Sequence, residues 1–394
     1  VPLQFRTPEI DREPDGEHAV STLPRPDPDD VSTRPDDLTT AYDGDTCVGH
    51  LGSLRSDITV PGDVKLTAAA ITQFGVEPSH RRQGVLAGLM TTALRDAHTR
   101  GQVLATLSSP LSALHPRFGF GLAADACAVE VDPRAAAPIH RPALGSIDVM
   151  SVGEAAHLVP EIYDRCARGR VGTVSRGPST WARRLRAAPV TLGTEQPSVA
   201  FHLDSTGLAD GYVQYDITTD ADGVSVGVIR DLWGSDSEIE RALWEHLVSI
   251  DDVSTWRSPR RPADDPVRFA MADVRAYKTR RRFDEQWLRI LDIDVALGTR
   301  AYNASTRAVT LRVLDPMISA NTGTWRIDAY GSFRSQGDAD FEIGIETLSA
   351  VYLGGTSFQE LRDAGRLVER RTDAAADADT LFASRPRPFC GTDA

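Results

Sequence analysis

From Gly84 onward apolar residues recur at three- and four-residue spacing: Val85, Leu86, Leu89, Met90, Ala93, Leu94 and Ala97. Such a stripe is one face of an amphipathic helix, and it predicts a helix ending near Gly101. The period differs on either side. Residues 38–43 and 46–51 are β-prone runs flanking Gly44-Asp45, whose chemistry suits a hairpin turn. Residues 66–76 form a third run, stopped at Glu77-Pro78-Ser79, where proline cannot continue a ladder. Residues 103–107 are a short strand again. Between 66 and 107 the chain therefore reads strand, Arg/Gly turn, helix, strand.

The same alternation continues downstream. Residues 132–145 contain three prolines and three consecutive alanines and read as a linker. A second αβ block follows, with helices at 154–168, 181–187 and 238–249 and strands at 198–203, 211–217 and 224–232. A third block starts near Trp287, with strands at 309–314, 324–330 and 341–345 and helices at 347–352 and 357–364. The first two blocks look like diverged copies of one plan. Ahead of them, residues 9–37 are rich in Pro, Asp and Glu, predicting an irregular arm with at most one short helix at 17–22. The domain plan is then an arm at 1–37, a first domain at 38–131, a linker at 132–145, a second domain at 146–283 and a third at 284–394. The fold class is α/β (α+β).

Composition narrows the function. At about 150 residues per domain, 394 residues hold two or three domains. No apolar stretch approaches the roughly 20 residues of a membrane-spanning helix. The start, Val1-Pro-Leu-Gln-Phe5, lacks a signal pattern, so a cytoplasmic location and no membrane partner are expected. A net charge of −13 disfavours nucleic acid and favours cationic small molecules. Lys65 and Lys278 are the only lysines, leaving few candidates for Schiff-base chemistry. Cys47, Cys127, Cys166 and Cys390 form no C-x-x-C pair, and the histidines show no ligand spacing, so no metal is expected.

The segment richest in chemistry is Phe74-Gly75-Val76-Glu-Pro-Ser-His-Arg81-Arg82-Gln83-Gly84-Val85-Leu86-Ala87. A strand runs into an Arg- and Gly-containing turn that opens a helix. Backbone N–H groups at that helix start, the positive end of its dipole, and Arg81 and Arg82 together suit a pyrophosphate. The same residues also suit a plain, charged and solvated helix start. His80 and His50 read as polar loop and strand residues, and Trp181, Trp233, Trp244 and Trp287 as core.

The segment resembles motif A of the GNAT acyltransferases, Arg/Gln-x-x-Gly-x-Gly/Ala, with Leu86 replacing the last small residue. The longer phrase, from Val76 to Leu86, is similar to the Eis-like branch of aminoglycoside N-acetyltransferases. Arg117-Phe-Gly-Phe-Gly121 resembles the segment closing that family's catalytic domain. Tyr352-Leu-Gly-Gly-Thr-Ser-Phe358 and the ending Pro388-Phe-Cys-Gly-Thr-Asp-Ala394 resemble its sterol-carrier-protein-like C-terminal domain. The resemblance implies tandem GNAT folds followed by that third domain, acetyl-CoA as co-substrate, a small-molecule amine as acceptor and a hexamer. It implies that Arg81 to Ala87 hold the pyrophosphate, and that Phe74, Gly75 and Val76 offer backbone to the pantetheine arm.

It also implies a catalytic pair. The family uses its C-terminal carboxylate as base, here that of Ala394, and a tyrosine as acid, a position occupied here by His115. As imidazolium, His115 would be the stronger proton donor; as a wall residue, it would leave the thiolate to be protonated by solvent. Ser109-Pro-Leu-Ser-Ala113 replaces a stretch where the family often carries an acid, which bears on aminoglycoside specificity. The second block's equivalent turn, Trp233-Gly-Ser-Asp-Ser-Glu238, is acidic and is expected to repel CoA. Two other classes stay open: an acyl-CoA-binding regulator or scaffold without turnover, and a lipid carrier acting through the third domain. That domain otherwise serves to deliver the C-terminus and build the oligomer.

Overall fold

The apolar stripe is the buried face of helix α1 (Val85–Thr99), in which Val85, Leu89, Met90, Ala93, Leu94 and Ala97 are buried and Leu86 half-buried. The computed structural model describes residues 3–6, 35–109, 112–185, 197–219 and 221–392. The helix expected at 17–22 and the terminal Ala394 lie outside the described residues. No helix among the described residues is long and apolar enough to cross a membrane.

The chain forms two compact units, one of residues 1–124 with 284–394 and one of residues 125–283. In the first, β1 (Gln4–Arg6), β2 (Asp37–Asp43), β3 (Thr46–Val60) and β4 (Val64–Val76) pair antiparallel in succession. After α1 the chain returns as β5 (Leu104–Leu107), parallel to β4. The stripe of α1 packs on Ala41, Val48, Leu51, Ala69, Ile71, Ala105 and Leu107. Each fully buried Leu or Val there contributes about 1.5–3 kcal/mol. Strand β3 runs nine residues past the expected end at 51, through the polar Ser53, Arg55 and Asp57. Ladder pairing to β4 carries these residues, and the loop Pro61-Gly62-Asp63, with φ of 102° and 59° at Gly62 and Asp63, closes the hairpin.

The second unit begins within β6 (Gly121–Val131). It contains β7 (Ser146–Ser151), α2 (Val159–Cys166), α3 (Pro178–Arg184), β8 (Ser198–Leu203), β9 (Ala209–Thr219), β10 (Ser225–Gly234), α4 (Ser237–Ser249) and β11 (Val253–Pro262). Strands β7 to β10 are antiparallel neighbours, β11 lies parallel to β10, and β6 antiparallel to β11. This repeats the order around α1: antiparallel strands, a helix, then a parallel strand. The helix expected at 154–168 is broken, because a Ser151 capping box starts one short turn at Val152–Ala155 and Pro160 fits only the first turn of the next. The segment 132–145, expected as a linker, buries Ala136 and Ile139 in this unit's core with Trp244 and Trp256.

Strand β12 (Tyr277–Ile290) leads back into the first unit, where Trp287–Ile290 pairs antiparallel with β5. Then come α5 (Ile293–Thr299), β13 (Val309–Leu314), β14 (Gly323–Asp328), β15 (Gly331–Arg334), β16 (Phe341–Gly344), α6 (Ile345–Val351), α7 (Phe358–Asp363), β17 (Val368–Glu369) and α8 (Ala374–Phe382). The five strands form a separate sheet in the order β15-β14-β13-β16-β17. The start of β6 runs hard against α6: a Cβ on Gly121 would lie 2.1 Å from the Glu346 carbonyl oxygen and 2.3 Å from the Ala350 nitrogen. A buried ion pair, Arg289 to Asp315 at 2.6 Å, ties β12 to this domain.

Candidate functional site

Strands β4 and β5 part company. Their parallel ladder runs from Ala68 opposite Leu104 to Ile71 opposite Leu107 and stops, while β4 continues to Val76 paired with β3 alone. Phe74, Gly75 and Val76 therefore lie past the last residue pair of the β4–β5 ladder, and all three are half-buried. Because β12 is antiparallel to β5, the residues preceding Trp287 belong to this same end of the sheet.

The turn after β4 is shaped to present N–H groups. Residues Pro78–His80 make one 3-10 turn, Arg82 has a φ of 64°, and Gly84, just ahead of α1, has a φ of 83°. Arg81 is extended and Arg82 and Gly84 are left-handed, and successive N–H groups of such a turn can form a concavity, a nest for anions. No side chain caps the start of α1, so the donors at its first turn face outward at the positive end of the dipole. Arg81, Arg82 and Gln83 are exposed around it, and a Cβ built on Gly84 meets nothing within 4 Å. The Gln83 amide braces the turn by donating to the Ser79 carbonyl at 2.9 Å. This is a fit for a pyrophosphate: open space, free-facing N–H groups and two guanidinium groups.

His115 lies in the 3-10 turn His115–Phe118 and is only 4% exposed. Its Nε2 faces the Ser109 carbonyl at 3.5 Å, and its ring meets that of Trp287 edge-on at 5.0 Å. Burial lowers its pKa below the ordinary histidine value, outweighing the Ser109 carbonyl and Asp284. Of the two roles expected for His115, this burial favours the neutral wall residue over the imidazolium acid.

The C-terminal tail is held by a residue the sequence did not single out. Glu285 on β12, 1% exposed, accepts hydrogen bonds from the backbone N–H of Cys390 at 3.0 Å and of Gly391 at 2.9 Å. Phe389, Cys390 and Thr392 are buried, and Cys390 Sγ donates to the Thr392 carbonyl at 3.2 Å. Pro388 packs where a Cβ on Gly355 would sit, 3.0 Å away. The one available signal was a carboxylate inside a strand that otherwise buries Trp287, Leu288 and Ile290. The structure thus places Phe74–Val76, the turn 81–87, His115 and the tail at one sheet end, with Ala394 itself beyond the described residues.

In the second unit the parallel ladder likewise stops short of the end of its first strand. The parallel pairing of β10 with β11 ends at Val228 opposite Arg257. Beyond it Arg261, 2% exposed, donates to the Leu232 carbonyl at 3.4 Å, to Glu240 at 2.6 Å and to Asp265 at 2.7 Å. Asp236 caps α4, accepting from the N–H groups of Glu238 and Ile239.

Comparison with known proteins agrees with this duplicated architecture. Residues 28–123 and 172–290 each match a model of an acetyltransferase (GNAT) domain, and residues 293–391 match a sterol carrier protein domain. An uncharacterized N-acetyltransferase of Streptomyces griseus is 33% identical over 370 residues, 89% of this chain and 87% of its own. The N-acetyltransferase Eis of Mycobacterium tuberculosis is 27% identical over 351 residues, 86% and 84% of the two chains. The crystal structure of Eis1 from Mycobacterium abscessus superimposes with a TM-score of 0.84 at 30% identity, covering 91% of this chain and 90% of that one.

Proposed function

The chain belongs to the Eis-like GNAT N-acetyltransferases with a C-terminal sterol-carrier-protein domain, and from that premise we propose that it acetylates an amine of a small molecule, with acetyl-CoA as donor. The observation that carries the donor assignment is the uncapped, nest-forming turn at the start of α1, directly after the point where β4 leaves β5. Acetyl-CoA supplies an activated thioester. Arg81, Arg82 and the N–H groups of residues 82–87 would bind its pyrophosphate, and the β4 edge at Phe74–Val76 its pantetheine amides.

The acceptor must arrive as a free amine, so a proton has to leave it. The Ala394 carboxylate is our candidate base, delivered by a tail that Glu285 anchors two strand positions from Trp287. His115 is a neutral wall residue here, and the departing thiolate takes its proton from solvent. A chain of net charge −13 suits a cationic acceptor, and an aminoglycoside-like polyamine is the class the family resemblance implies.

A thiol-release assay decides the matter. Acetyl-, propionyl- and malonyl-CoA are each offered with aminoglycosides, polyamines and amino acids. Acetyl-CoA with a polyamine should release thiol fastest. CoA binding without thiol release from any amine would make the protein an acyl-CoA-binding scaffold instead.

A further inference from the structure

We propose that Glu285 is a positioning residue for the reaction: its carboxylate fixes the C-terminal tail by holding two successive backbone N–H groups, an inference that rests on the reading of the tail as base. A carboxylate has two oxygens, and each takes one N–H, Oε2 from Cys390 and Oε1 from Gly391. Two bonds from one rigid group to adjacent peptide units fix both position and direction of the backbone. Gly391 itself is left-handed, with φ of 64°, so the chain turns directly after the second anchored N–H.

Several features argue that the grip is built for precision at the chain end. Glu285 sits on a strand paired to β5 rather than on a loop, so its own position is fixed by the sheet. The carboxylate is buried, which strengthens its hydrogen bonds to peptide N–H groups by excluding water. On the reading of the Ala394 carboxylate as base, Ala394 follows Gly391 by three positions. A tail gripped that close to its end can place a carboxylate; a free tail would spread it over a large volume. Cys390 Sγ adds a short local lock on the Thr392 carbonyl.

Glu285→Gln keeps the shape of the side chain but turns one acceptor into a donor, facing an N–H it can no longer bind. The turnover number should fall roughly 10- to 100-fold while KM for acetyl-CoA stays near wild type. Glu285→Asp keeps both acceptors on a shorter arm and should lie between. A readout independent of activity is carboxypeptidase digestion of the folded protein, which should remove the tail faster from Glu285→Gln than from wild type. In the wild-type protein itself, hydrogen exchange should be slow at the amides of Cys390 and Gly391. Fast exchange there, or unchanged digestion in Glu285→Gln, overturns the clamp even if deleting residues 392–394 abolishes turnover. Full activity after that deletion overturns the base reading instead, and with it the catalytic consequence of the clamp.

Discussion

The ring of His115 stands edge-on against Trp287, with centroids 5.0 Å apart and planes at 62°. Trp287 is fixed in turn, its indole N–H donating to Asp284 at 2.8 Å and its backbone paired with Leu107 at the end of β5. The histidine is thus clamped against the strand that carries Glu285, in surroundings too apolar to favour a charged ring. Its place in the chain suggested proton transfer; its environment suggests shape.

The pH dependence of turnover distinguishes these roles. Burial holds the pKa of His115 below the ordinary histidine value, so an imidazolium acid would make the rate fall as pH rises through that lowered value. We expect instead that His115→Phe, which keeps the ring, stays within roughly 10-fold of wild type with an unchanged pH–rate profile. A descending limb in the wild-type profile that vanishes in His115→Phe would restore the acid role.

At the pyrophosphate turn, charge and backbone geometry can be separated. Arg81→Ala removes a guanidinium only. Arg82 also sits at a φ of 64°, where a residue with a Cβ other than glycine is strained, so Arg82→Gly removes its charge while keeping the nest. The double variant should bind CoA roughly 10- to 100-fold more weakly, since each charge-assisted contact contributes about 1.5–3 kcal/mol at most. Unchanged affinity by calorimetry, with the fold intact, would place the donor site elsewhere.

What was legible in the sequence depended on local pattern. The stripe of α1 was plain because Val85, Leu89 and Ala93 share a face whatever surrounds them. Helix α7, expected at 357–364, is found at Phe358–Asp363, after a Ser357 capping box. Elements whose support is tertiary were not legible. Helix α8 (Ala374–Phe382) presents mostly small alanines among aspartates, and buries Ala374, Ala375, Ala378, Leu381 and Phe382. Strand β15 carries exposed Phe333 and exists through its pairing with β14. The site divided in the same way: the turn 81–87 is contiguous and could be read, whereas Glu285 acquires its role from Cys390 and Gly391, about a hundred positions later.

The second unit contains a titration that should register in stability. Asp231 is buried, which alone would raise its pKa, but Arg176, Arg184 and the Tyr212 hydroxyl hold it down to about 2. A depressed carboxylate pKa means stability that is fully present above the unfolded value, near 3.9, and lost as pH falls from there through about 2. The contribution is on the order of 2 kcal/mol. Asp231→Asn should therefore lower the unfolding midpoint in urea at pH 7 and flatten its decline between about pH 4 and pH 2. A variant as stable as wild type at pH 7 would show that the network contributes nothing net.

The tail reading is tested most directly by chain length. A terminal carboxylate has an ordinary pKa of about 3.3–3.7 and is ionised at neutral pH, ready to accept a proton from an amine. Its location depends on where the chain stops, so adding two glycines after Ala394 should cut turnover roughly 100-fold and spare CoA affinity. Ala394→Phe keeps the carboxylate and should keep activity while changing acceptor preference. A C-terminally extended protein with native activity would require a side-chain base.

On the reading of the α1 turn as the donor site, the two GNAT domains should differ in ligand stoichiometry. In the first, α1 has no side-chain cap and β4 runs clear of β5 past Ile71. In the second, Asp236 already satisfies the N–H groups of Glu238 and Ile239 and brings a negative charge to where a pyrophosphate would bind. Arg261 meanwhile donates to the Leu232 carbonyl on the β10 edge. Calorimetry should therefore count one CoA per chain, and Arg81→Ala with Arg82→Gly should weaken that one site. Arg261→Ala should not open a second: it strips the partner from Glu240 and Asp265, both largely shielded from water, and should destabilise the fold by about 3–5 kcal/mol. Two equivalent CoA sites per chain, or a second site appearing in Arg261→Ala, would refute the closed second cleft.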